Sequence, residues 1–244
     1  MTAIELKALR KEYKDVVAVK DLSFTVEEGE LFSLLGVNGA GKTTTIKMLS
    51  TLTEPSGGDA TILGKSLRTE PQAIKGLIDV STQETAVARK LTVEENLEFY
   101  AALNGLSDEE IRERKQEAYR VFGLDEVKNK QASKLSGGWQ RKLSIALALV
   151  CRPRILFLDE PTLGLDVLAR RELWHAITSL KGKMTIILTT HYMEEAEALS
   201  DRIGIMNRGE LLFVGTKEAL FDRSGKNNVE DAFIEIVSGG EENA

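Results

Sequence analysis

Gly36-Val37-Asn38-Gly39-Ala40-Gly41-Lys42-Thr43 reads G-x-x-x-x-G-K-T, and these residue types suit one task, the holding of phosphate groups. Glycine reaches backbone shapes that a Cβ forbids, so main-chain N–H groups can close around phosphate oxygens. The lysine brings a full charge to the terminal phosphates, and the hydroxyl after it can hold Mg²⁺. The flanks agree. Leu31-Phe32-Ser33-Leu34-Leu35 is an apolar run of strand length, and Ile46, Met48 and Leu49 suit a helix over residues 44–51. Such a helix turns its positive N-terminal end to the anion. Gly36, Asn38, Gly39, Ala40, Gly41, Lys42, Thr43 and Thr44 are therefore the expected contacts of a nucleoside triphosphate, with Mg²⁺ at Thr43.

Two more strand ends carry chemistry. Ile155-Leu156-Phe157-Leu158 is a continuous apolar run ending in Asp159-Glu160, as expected of a central parallel strand covered on both faces. Asp159 is the carboxylate expected to complete the Mg²⁺ site. Its neighbour Glu160 is placed to orient or deprotonate an attacking water. Met184 to Thr190 reads as another buried strand and ends at His191. Ligands of open α/β sheets gather at the carboxyl ends of strands, so these three ends point to one site. By itself His191 reads first as a structural residue, because a lone histidine at a strand end is more often that than a ligand.

The elements that must position these groups can be read in order. Ile4–Leu9, Ala18–Val26 and Leu31–Leu35 have strand character, with Glu27-Glu28-Gly29-Glu30 as a turn. Tyr13 stands among them, either as a strand-edge tyrosine or as an aromatic face for adenine. Short strands follow at Ala60–Leu63 and Gly76–Ser81, the second running into Thr82-Gln83-Glu84. From about Leu91 to Lys134 the pattern turns helical. Thr92 with Glu95 makes a capping box, and Ser107 opens a second, charged helix that stops near Gly123. Leu135-Ser136-Gly137-Gly138 interrupts the pattern before a long apolar helix from Trp139 to Pro153. Asp166 precedes a helix over 167–180, and two strands flank the turn Asn207-Arg208-Gly209. The tail from Ser224 reads as polar except for an amphipathic stretch, Val229 to Val237, and its last five residues read as disordered.

Size and composition fit an α/β domain with a small helical insert: 244 residues, 42% hydrophobic and 29% charged. A net charge of -6 argues against nucleic acid as a partner held by the overall field. One cysteine, Cys151, leaves no internal disulfide and fits a reducing compartment. The N-terminus lacks an apolar signal core. The longest apolar stretch, Leu143 to Cys151, is far short of the roughly 18 residues of a membrane span. A membrane role is therefore expected to come through a partner.

Leu135-Ser136-Gly137-Gly138-Trp139-Gln140 resembles the signature motif of ABC-family ATPases. Phosphate loop, signature, acidic pair, Thr162-Leu163-Gly164-Leu165-Asp166 and His191 stand in that family's order, covering roughly Ile4 to Lys217. Val229-Glu230-Asp231-Ala232-Phe233-Ile234 is also similar to the end of ATP-binding subunits of multidrug and ABC-2-type exporters. The resemblance implies an α/β P-loop ATPase core over residues 1–217. It has a mixed sheet, an N-terminal antiparallel β subdomain and a helical subdomain inserted at about 91–135, with residues 218–244 as a short extension. It implies that Tyr13 stacks on adenine and that Gln83 touches the metal and reports nucleotide state to the insert. Ser136, Gly137 and Gly138 would bind the γ-phosphate across a dimer interface, and Asp166 would couple the two sites. Glu160 would be the catalytic base, His191 the γ-phosphate sensor, and Lys42 and Gln83 would assist them.

Three positions depart from the family's usual pattern: Thr82 stands where proline precedes the glutamine, Trp139 where glutamine is usual, and Val167 where proline often follows the aspartate. None removes a catalytic group. The resemblance implies ATP and Mg²⁺ as cofactors. Its implied partners are a second ATP-binding subunit, as a homodimer, and an integral permease at the cytoplasmic face of the membrane. Two other readings compete: an ABC-type ATPase acting on nucleic acid or ribosomes, and a different P-loop class. The first usually carries two ATPase units or a long coiled-coil insert. The second leaves the signature, Gln83 and His191 unexplained.

Overall fold

The computed structural model describes residues 1–241. The chain opens with β1 (Thr2–Tyr13), β2 (Val16–Leu22) and β3 (Thr25–Glu27), then enters β4 (Leu31–Leu35), the phosphate loop and α1 (Lys42–Leu49). It returns through β5 (Gly57–Ile62) and β6 (Lys65–Ser66), which join β1, β2 and β3 in an antiparallel sheet. The expected single strand over Ala18–Val26 is two. Asp21 takes a left-handed φ of 46°, and the chain thereby leaves one stretch of β1 to pair with another.

A second sheet holds the chemistry. Its strands β7 (Ile78–Ser81), β8 (Ile155–Asp159), β9 (Thr185–Thr190), β10 (Arg202–Asn207) and β11 (Glu210–Gly215) lie with β4 in the order β11-β10-β4-β9-β8-β7. All pairings are parallel except β10 with β11. β4, β8 and β9 are buried at every residue, because alternate side chains feed different cores. Ile155 and Phe157 join a cluster with α1 and the antiparallel sheet. Leu156 and Leu158 join a cluster built with the helices. A sheet buried on both faces needs this uninterrupted apolar sequence.

The helical layer comprises α3 (Val93–Leu103), α4 (Asp108–Phe122) and α5 (Gly137–Val150). Thr92–Glu95 and Ser107–Glu110 form full capping boxes that start the first two of these helices. Tyr100 on α3 donates its hydroxyl to Asp79 on β7 (3.1 and 3.3 Å), tying this layer to the sheet edge. α6 (Val167–Thr178) follows β8. Three helices were not anticipated: α2 (Pro71–Lys75), α7 (Met193–Leu199) and α8 (Lys217–Ser224). All are short, eight residues or fewer, so hydrophobic periodicity has little length in which to register.

The tail also differs from its reading. A helix, α9 (Val229–Glu241), extends past Val237 and includes two of the residues expected to be disordered. Residues 242–244, where the rest of that expectation falls, lie outside the described residues. Val229, Ala232 and Phe233 of α9 pack with Leu35, Ile203, Ile205 and Phe213. The end of the chain thus covers the sheet beside the phosphate-loop strand, and that apolar burial is what holds it.

Candidate active site

The phosphate loop is shaped by contacts only glycine permits. A Cβ on Gly36 would stand 2.4 Å from the Met206 carbonyl oxygen, and one on Gly41 would stand 2.6 Å from that of Ala18. Gly41 caps α1 with a left-handed φ of 103°, and no side chain caps the helix. The first amides of α1 therefore face a cleft of about 800 Å³. Tyr13, Asn38, Gly39, Ala40, Gly41, Lys42, Thr43, Thr44, Gln83, Glu160 and His191 line it, as does Arg208 from the β10–β11 turn.

Lys42 is 4% exposed. Its ammonium donates to the Gly36 (2.7 Å) and Val37 (3.1 Å) carbonyls and lies 3.3 Å from Glu160 Oε1. Burial lowers its pKa, while the Glu160 and Asp159 carboxylates work the other way. The second oxygen of Glu160, Oε2, is 3.1 Å from His191 Nδ1. Glu160 thus lies between the lysine of one strand end and the histidine of another. Its backbone is strained, with φ at 47°, a region costly for a residue with a Cβ. The backbone N–H donates to both the carbonyl and the hydroxyl of Thr189, at 3.1 Å each.

Asp159 Oδ1 accepts from the hydroxyls of Thr43 (3.1 Å) and Thr189 (2.6 Å). The Thr43 hydroxyl and the Asp159 carboxylate are hard oxygen donors of the kind Mg²⁺ takes, and Gln83 lines the same cleft. Among the described residues no cluster of three or more His, Cys, Asp or Glu could hold a metal. A Mg²⁺ fits this donor set only as part of a phosphate complex.

Tyr13 ends β1 at the cleft rim, 45% exposed, with the Lys11 ammonium 4.9 Å from its ring centroid. The signature residues do not line the cleft. Ser136 caps α5, but its hydroxyl makes no capping bond, unlike those of Thr92, Ser107 and Thr216. A Cβ on Gly137 would meet nothing within 4 Å, whereas one on Gly138 would press on Ala169 at 3.0 Å. Asp166 is also outside the cleft lining, and its carboxylate caps α6 by accepting from the Leu168 and Ala169 amides, 2.9 Å each. Trp139 packs against the helical cluster, with the Lys142 ammonium 4.4 Å from its ring centroid.

Sequence reasoning missed two groups. Thr189 holds both acidic residues, yet it reads as one more β-branched strand residue. Arg141 is 4% exposed on the apolar helix α5, and burial lowers its pKa to about 10. A charge on so apolar a helix was the available signal, since a buried charge needs partners.

The family profile described as ABC transporter matches residues 19–163. The doxorubicin resistance ATP-binding protein DrrA of Mycobacterium tuberculosis is 42% identical over 238 residues, covering 96% of this chain and 70% of that protein. The linearmycin resistance ATP-binding protein LnrL of Bacillus subtilis is 38% identical, covering 97% and 75%. The solved ATP-binding subunit of an ABC transporter superposes with a TM-score of 0.86 at 31% identity, over 97% of this chain and all of that one. The ATP-binding cassette MJ0796, in a dimeric post-hydrolysis state with ADP and Pi, gives 0.78 at 27% identity, over 87% and 98%. By this profile match, and by relatives of such identity and coverage, the chain belongs to the ABC transporter family and is one of its ATPases.

Proposed function

We propose that this chain powers export through a separate membrane subunit, as one half of a two-chain ATPase whose sites each draw on both chains. One observation carries the reading. Lys42, Glu160 and His191 converge on the cleft, while Ser136–Gly138 stand elsewhere with an uncommitted hydroxyl and helix N-terminus. A helix start of this kind suits an anion, and a second copy can supply it to the open side of the cleft. The DrrA and LnrL names, both of resistance proteins, favour export over a nucleic-acid or ribosomal role. Among the described residues no helix is long and apolar enough to cross a membrane. A permease partner at the cytoplasmic face would supply the path, and α3 exposes Phe99 and Leu103 for such a contact.

In this mechanism the backbone amides of 38–44 and Lys42 hold the phosphates, and Tyr13 stacks on adenine. Thr43, Asp159 and Gln83 would hold Mg²⁺, which neutralises developing phosphate charge. Glu160 accepts a proton from the attacking water as the water oxygen bonds to the γ-phosphorus and the bond to the β,γ-bridging oxygen breaks, giving ADP and phosphate. His191 Nδ1 keeps that carboxylate aimed and senses the γ-phosphate. Triphosphate bridges the two chains. Its cleavage removes the bridge, so the closed dimer loses its differential stabilisation.

Glu160→Gln is the test. It keeps size and hydrogen bonding but removes the base, so turnover should fall roughly 10²- to 10⁴-fold. ATP binding should remain, and the variant should elute as a dimer with ATP and a monomer without it. Near-normal turnover would remove Glu160 from the mechanism.

A further inference from the structure

The signature helix and the catalytic acid belong to different sites in the two-chain reading, yet one side chain joins them within each chain. Arg141 lies one turn along α5 from Gly137, and its guanidinium is spent on backbone carbonyls. Nε donates to Pro161 O at 2.7 Å, and Nη2 to Asp159 O at 2.9 Å. Nη1 donates to Thr82 O at 2.5 Å and Gln83 O at 3.2 Å. The planar fork thus grips the segment on both sides of Glu160 and the segment carrying Gln83. Asp159 and Glu195 act on it only through their fields, with no direct ion pair.

We propose that Arg141 is a positioning residue through which nucleotide engagement at Ser136–Gly138, in one site of the dimer, sets the aim of Glu160 in the other. The link rests on the two-chain reading above. α5 is a rigid helix of 14 residues, so a shift at its N-terminus travels with Arg141. The four carbonyls then carry it to Gln83 and to the strained Glu160 backbone, where a small displacement redirects the carboxylate. Arg141 itself is not among the residues that line the cleft. Lysine would keep the charge but not the fork, since its three donors sit on one atom.

The test is a kcat-against-affinity split in the full-length protein. Arg141→Met should bind a fluorescent ATP analogue within about threefold of wild type, and Arg141→Met/Glu160→Gln should still dimerise with ATP. The kcat of Arg141→Met should fall about ten- to hundredfold, the scale of a misplaced catalytic group. Arg141→Lys should recover part of that loss, and it provides the comparison if the methionine variant does not fold. A merely structural residue would lower the folded fraction and melting temperature without changing kcat per folded molecule. Unchanged kcat per folded molecule in the variants, beside a Glu160→Gln protein that dimerises, overturns the link alone. A Glu160→Gln protein that stays monomeric with ATP overturns the two-chain reading, and the link with it.

Discussion

Asp79 gives a prediction whose size follows from its surroundings. It lies on β7, the sheet-edge strand that runs into Gln83, and burial raises its pKa from the ordinary 3.8 to about 6. The Val80 amide (2.7 Å) and the Tyr100 hydroxyl bond to the carboxylate, but they only partly offset the loss of water. The nearby Cys151 thiol is pushed up to about 11 and the Tyr100 phenol upward as well, so neither titrates alongside. The folded protein therefore holds the Asp79 proton more tightly than the unfolded chain. Stability from this group is full below pH 3.8 and is lost as pH rises through about 6. At about 1.4 kcal/mol per pH unit, that interval sets an upper bound of about 3 kcal/mol. Asp79→Asn stays neutral and keeps an acceptor for Tyr100 and Val80. Its stability relative to wild type should climb from pH 4 to pH 7 by up to that amount, then level off. Urea melts of both proteins at half-unit intervals read the difference, in which all other titrations cancel. A difference flat to within about 0.5 kcal/mol, below the effect of half a pH unit, would refute the buried-carboxylate argument.

Two other outcomes follow from the cleft. Gly36→Ala would drive a methyl to 2.4 Å from the Met206 carbonyl, so about 1–3 kcal/mol of stability should be lost. Its urea midpoint should fall, and ATP should restore less of it than in wild type. Tyr13→Ala should weaken ATP binding roughly two- to tenfold, the scale of an aromatic stack, with kcat kept. Tyr13→Phe should bind as wild type does, and equal affinity in the alanine variant would take adenine stacking away from Tyr13.

The site was legible in the sequence to an unequal degree. Gly36–Thr43 could be read because a phosphate cradle is a local pattern: consecutive amides, one lysine and one hydroxyl in one short stretch. Asp159 and Glu160 could be read because buried parallel strands are continuous apolar runs, so polar residues at their ends stand out. Short helices such as α7 left too little periodicity, and α9 had an apolar face whose burial against β10 and β11 no local pattern discloses.

By itself the sequence determined that there is a phosphate loop, which strands end in chemistry, and the order in which these parts come. Tertiary structure alone decided which groups meet. Parallel pairing of β4, β8 and β9 brings Lys42, Glu160 and His191, separated by more than a hundred residues of chain at the extremes, into one chain of contacts. It also decided which partners Arg141 takes, four carbonyls distant in the chain. The reason is physical. A phosphate cradle is encoded by residue type and local backbone, whereas the partners of a buried charge are set by packing across the fold.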